Sequence, residues 1–143
     1  MQISALLSVV AFSAAALAQP ISMAANAAEW TITSLSRTCD AADTVCDWTF
    51  GINNGSAATA VKYTVKASGG KPASKAPGGP VTVGPYTITS QWSDQFGADK
   101  GFTTFAVVDN AKRLIAYPGY DDAAVKSGKA VSPDRSYPVQ NLP

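Results

Sequence analysis

Hydrophobic and polar positions alternate strictly along several stretches of the chain. Cys46, Trp48, Phe50 and Ile52 interleave with Asp47, Thr49 and Gly51. A period of two belongs to a strand with one buried face and one wet face. Asn53, Asn54 and Gly55 follow, residue types that tolerate positive φ and close hairpins. Val61, Tyr63, Val65 and Ala67 then alternate with Lys62, Thr64 and Lys66, which predicts a second half-buried strand. Upstream, Trp30 and Ile32 alternate with Thr31 and Thr33, but Leu35 falls on the opposite parity. A bulge or bend near Ser34 accounts for that slip.

Downstream, Val81 and Val83 lead into Gly84-Pro85, after which Tyr86, Ile88, Ser90 and Trp92 share one face. Residues 102–108 are apolar on both parities and read as a central strand, turned back by Asp109-Asn110 into residues 114–117. Tyr117-Pro118-Gly119-Tyr120 places Pro and Gly in the order of a type II turn. Residues 121–126 are expected to start one short helix. The pattern fails over residues 68–80, which hold four Gly, three Pro and two Lys and read as a long mobile loop. The tail, with Pro133, Pro138 and Pro143, reads as extended. The fold expected is all-β: a single-domain antiparallel β-sandwich or barrel of about seven strands with little helix.

The first residues change the picture of where this domain works. Residues 3–17 are apolar and uncharged, and Ala16-Leu17-Ala18 is a small-x-small cleavage site. Residues 1–18 therefore read as a secretory signal peptide, followed by a loose tail over 19–28 and a secreted β domain over 29–143. The run falls short of the ~20 apolar residues of a membrane anchor. Cys39 and Cys46 are the only cysteines, and in an exported chain they are expected to form a disulfide. Between them, Asp40 is expected to cap one helical turn through Ala41 and Ala42. A net charge of +1 offers no strong field to nucleic acid or an anionic membrane, so neither partner is expected. The absence of His removes the commonest acid–base residue and metal ligand.

The remaining chemistry is sparse. Asp94 and Asp99 flank Phe96 in one polar loop, and Asp121-Asp122 follow Tyr120. Such carboxylates would serve a small wall hydrolase, or simply solvate loops and cap a helix. Asp40, Asp43 and Asp47 offer oxygen ligands, but their spacing matches no alternating calcium loop. Neither a catalytic residue, a metal nor a cofactor is assigned. Asn54-Gly55-Ser56 is an N-glycosylation sequon as well as a turn. Tyr117 and Tyr120 bracket the expected turn and, with Trp92, would form a sugar-stacking platform if they faced outward.

Trp30-Thr31-Ile32-Thr33 with Arg37-Thr38-Cys39, then Cys46-Asp47-Trp48-Thr49-Phe50, resembles small secreted proteins of filamentous fungi. The resemblance is to the hypersensitive-response-inducing proteins, elicitors secreted by plant-pathogenic fungi, and it covers the whole chain. A second cysteine pair is common in the wider group; here the following strand carries Val61 and Tyr63 instead. The resemblance implies a non-enzymatic protein of the apoplast that induces plant defence and hypersensitive cell death. Its partner would be a plant cell-surface receptor or wall component. The expected recognition loops carry Asn53 and Asn54, Lys71 and Lys75, and Tyr117 and Tyr120. The alternative expectation is a cell-wall polysaccharide-binding module or small wall hydrolase.

Overall fold

The computed structural model describes residues 28–143, so the expected signal peptide and nearly all of the expected tail lie outside the described residues. Three strands come first: β1 (Glu29–Cys39), β2 (Val45–Asn53) and β3 (Ala58–Lys66). They are joined by tight turns and pair antiparallel. Then follow β4 (Gly78–Val83), β5 (Tyr86–Ser93), β6 (Phe102–Asp109), β7 (Leu114–Ala116), β8 (Gly119–Asp121), a four-residue helix α1 (Asp122–Val125), β9 (Arg135–Pro138) and β10 (Gln140–Asn141). One sheet has the order β3-β2-β1-β9. The other has the order β10-β7-β6-β5-β4, with β8 also on β6. The two antiparallel sheets form a sandwich and not a closed barrel.

The alternation read from the sequence sets the inner faces. Cys46, Trp48, Phe50 and Ile52 are all buried, as are Val61, Tyr63 and Val65. Ala67 lies past the end of β3 and is exposed. The slip at Ser34 is a bulge: the β1–β2 register shifts between Thr33 and Ser36, Ser34 has φ 49, and Leu35 turns inward to 1% exposure. The opposite sheet contributes Tyr86, Ile88, Phe105 and Val107. Phe105 is the keystone between the sheets, with ring centroids 4.9 Å from Trp48 and 5.5 Å from both Phe50 and Tyr63. A second bridge sets Trp30 edge-on to Tyr86 at 5.2 Å. Edge-to-face packing of this kind suits the ring quadrupoles and adds to the burial of the ring area.

Three expectations are corrected. Residues 114–121 do not turn at Pro118. Val107 pairs with Ala116 and Thr104 with Gly119 in one unbroken register, and the Phe105 N–H donates to the Pro118 carbonyl at 2.8 Å. Among the described residues β8 pairs only with β6, and Pro is tolerated on such an edge because no described neighbour requires its missing N–H. Second, β6 is central but buried on one face only: Phe102, Thr104, Ala106 and Val108 face outward and are half-buried. Third, residues 68–80 are ordered. Ser68 and Lys71 form a bridge around Gly69-Gly70, Ala73–Lys75 makes one 3-10 turn, and residues 78–80 open β4. Within this segment Ala73 and Ala76 are buried. The short helix after Tyr120 forms with Asp121 at its N-cap. The proline-rich tail does more than extend, since β9 closes one sheet and β10 the other.

Candidate recognition surface

Cys39 and Cys46 are directly opposed across the β1–β2 ladder and form the disulfide, with Cα atoms 4.0 Å apart. The loop they close is held by hydrogen bonds that its aspartates accept, not by a helical turn. Asp40 Oδ1 accepts the N–H groups of Thr44 at 2.6 Å and Val45 at 3.2 Å, and Oδ2 accepts the Thr44 hydroxyl. These bonds, the Thr44 hydroxyl foremost, hold the Asp40 carboxyl below its ordinary value because they favour the charged form.

Asp43, at φ 56, reaches out of the same loop. Its carbonyl accepts the Ala73 N–H at 2.8 Å, and its carboxylate accepts both the N–H and the hydroxyl of Ser74. The disulfide loop thus fixes the segment that presents Lys71 and Lys75, both exposed. Lys75 Nζ lies 5.1 Å above the Trp92 ring, a cation–π contact. The Trp92 indole N–H donates to Asp122 Oδ2 at 2.9 Å. The other oxygen of Asp122 faces Arg37, 3.7 Å away, and the buried Arg37 guanidinium lies 5.6 Å from the Trp48 ring centroid. One polar seam therefore runs from the Lys75 surface through the sandwich to β1.

Asn53 and Asn54 form the β2–β3 turn. Asn54 Oδ1 accepts the N–H groups of Ser56 and Ala57, each at 2.9 Å, while Nδ2 donates to the Tyr86 hydroxyl at 3.2 Å. Asn53 is exposed, and its Oδ1 accepts the Gly55 N–H. Asn54 is therefore turned inward with both ends of its amide in use.

Tyr117 is half-exposed, whereas Tyr120 is buried at 1% and packs at 6.0 Å from Tyr137. Burial also pushes the Tyr120 phenol well above its ordinary range. Tyr120 is thus not a surface recognition residue, and Trp92 is occupied by Lys75 and Asp122. The trio Trp92, Tyr117 and Tyr120 forms no outward platform. The reason is parity: in a continuous strand Tyr117 and Tyr120 point to opposite faces.

Of the expected carboxylates, Asp94 and Asp99 are exposed in the loop between β5 and β6. Asp99 and Asp121 line an open groove of about 530 Å³ with Phe96, Lys100 and Phe102. Neither has the apolar enclosure that characterises a general acid. Asp122 is committed to Trp92 and Arg37. Asp40, Asp43 and Asp47 do not converge on one point: Asp47 accepts the Thr64 hydroxyl at 2.8 Å, and the other two serve Thr44 and Ser74. Cys39, Asp43 and Cys46 do cluster, but both sulfurs are in the disulfide and are not thiolate ligands.

Sequence reasoning missed the Asp43 clamp, which joins residues 31 positions apart and leaves no local signal. It also missed Phe96, stacked on Phe102 at 5.8 Å with 66% of its surface exposed. The signal was present there, as a lone aromatic inside a polar loop.

Residues 31–142 match the family model described as Effector TSP1. A relative named Effector TSP1 from the fungus Hypocrea virens (strain Gv29-8 / FGSC 10586) is 57% identical over 123 residues, covering 85% of this chain and 82% of the relative.

Proposed function

The chain belongs to the Effector TSP1 family, and from that premise we propose that it is a secreted effector sensed outside plant cells, where it induces defence and hypersensitive cell death. The observation that carries this reading is the family match across residues 31–142, because it spans the sandwich and its disulfide loop. The proposed mode of action is binding, without catalysis. The chain has no His, and the carboxylates described above either accept hydrogen bonds within the fold or stand in solvent. A disulfide-closed hairpin on a domain with an aromatic core is consistent with work in an oxidising, extracellular setting. The proposed recognition surface is the Lys71–Lys75 segment held by Asp43, together with the β2–β3 turn at Asn53 and the exposed Tyr117. Loops fixed on a rigid scaffold are where binding residues concentrate. The proposed listener is a plant cell-surface receptor or a wall component. Purified mature protein infiltrated into leaves tests this: an oxidative burst and local death support it, and silent tissue at all doses refutes it. A Lys71→Glu/Lys75→Glu variant that stays folded but signals less would locate the surface in that segment.

A further inference from the structure

The outer face of β5 and β6 exposes aromatic surface. Among the described residues, the large hydrophobic side chains that stand out as exposed are Phe96, at 66%, and Tyr117, at 50%. Both lie against this one face. Phe96 stacks on Phe102, which begins the outward row Phe102, Thr104, Ala106 and Val108. Tyr117 continues the edge strand opposite Ala106, so it stands about 13 Å along β6 from Phe102 by strand rise. Between them runs a cleft of about 240 Å³ whose outward side chains are Thr89, Gln91, Thr104 and Ala106. Beyond Phe102 lies the Phe96 groove, whose rim carries Asp99, Lys100 and Asp121.

We propose that this face binds an uncharged polysaccharide, with Tyr117 and the Phe96–Phe102 pair as stacking platforms. The chemistry of the lining selects the ligand. The central cleft carries hydroxyl, amide and methyl groups and no Lys, Arg, Asp or Glu. A charged ligand would find no counter-ion in the central cleft, and beside Phe96 the single Lys100 is outnumbered by Asp99 and Asp121, so a neutral ligand meets the least unmatched charge along the face. Exposed aromatic faces joined by short hydroxyl and amide side chains match the alternation of apolar ring faces and equatorial hydroxyls on a sugar chain. The face is carried by the continuous β5–β6 ladder, so little order is lost on binding. This face shares Tyr117 with the proposed recognition surface and meets the Lys71–Lys75 segment at Gln91, so the two readings are separated by the assay and not by position.

The experiment is a pull-down of the intact mature protein on insoluble β-1,3-glucan and on chitin, with immobilised polygalacturonate as the anionic control. The expected result is retention on at least one neutral polymer, unaffected by 0.5 M salt, as befits contacts without ion pairs (about a 4 Å Debye length). Phe96→Ala/Tyr117→Ala should weaken that retention at least about tenfold with an unchanged circular dichroism spectrum, since both side chains are exposed. No retention on either neutral polymer overturns the proposal. So does undiminished retention of the double variant, or retention on polygalacturonate alone. No plant cell enters the assay, so failure of elicitation leaves its outcome unchanged.

Discussion

Asp43 and Ser74 are joined by two hydrogen bonds, from the Ser74 N–H at 2.8 Å and from its hydroxyl, to the one carboxylate of Asp43. That pair couples the disulfide hairpin to a segment that carries seven Gly or Pro among residues 68–80. Hydrogen bonds to a charged acceptor contribute about 1.5–3 kcal/mol. Asp43→Ala should therefore free the 3-10 turn while leaving the aromatic core in place. Limited trypsin digestion checks it: the wild type should resist cutting after Lys75, and the variant should be nicked there first. Equal rates for both proteins would show that Asp43 does not hold the segment.

The disulfide closes only a short loop between Cys39 and Cys46, so its chain-entropy contribution is about 2–3 kcal/mol. Cys39→Ala/Cys46→Ala should lower the melting temperature and speed tryptic cutting after Lys75, since the loop that positions Asp43 loses its closure. Calorimetry with parallel digestion measures both effects.

Strand identity was legible wherever one face was buried. Cys46 to Ile52 and Tyr86 to Ser90 face inward as their period of two requires, and the parity slip at Leu35 located the Ser34 bulge. What was not legible depended on distant partners. The order of residues 68–80 comes from Asp43, and the path of residues 117–120 comes from the β6 edge that captures Pro118. A Pro-Gly pair is as compatible with an edge strand as with a turn, so local chemistry could not separate them. Of the candidate site only exposure can be compared with the sequence: Lys71, Lys75, Asn53 and Tyr117 are exposed, while Tyr120 is not and Asn54 points inward.

The amide nitrogen of Asn54, the atom an N-glycan would occupy, donates to the buried Tyr86 hydroxyl. The protein secreted by a glycosylating fungal host should therefore carry no glycan at Asn54, and endoglycosidase treatment should leave its intact mass unchanged. Asn54→Ala should cost about 1–3 kcal/mol, because the buried Tyr86 hydroxyl and two turn N–H groups lose their partner. Chemical denaturation measures it.

Two pH windows follow from the ionisable groups. Asp40 has a folded pKa below the ordinary 3.8, so its stabilising bonds are complete above that pH and are lost as pH falls through the lower folded value. Amide exchange of Thr44 and Val45 should lose protection in strong acid before the core opens. Tyr63, Tyr86 and Tyr120 are raised above 10 by burial, so the folded state holds them neutral where the unfolded chain would ionise. Stability from these three is complete below pH 10 and declines above it. In an ultraviolet titration, phenolate absorbance from these three should appear only together with unfolding.

Recognition from outside the plant cell is the central claim, and leaf infiltration measures it most directly. Phe105→Ala serves as the unfolded control, since removing the keystone ring should cost about 3–5 kcal/mol. The account predicts that mature wild-type protein applied outside leaf cells triggers an oxidative burst and local death, and that Phe105→Ala does not. Protein that is inert outside leaf cells yet kills them when made in the cytosol without residues 1–18 would contradict it.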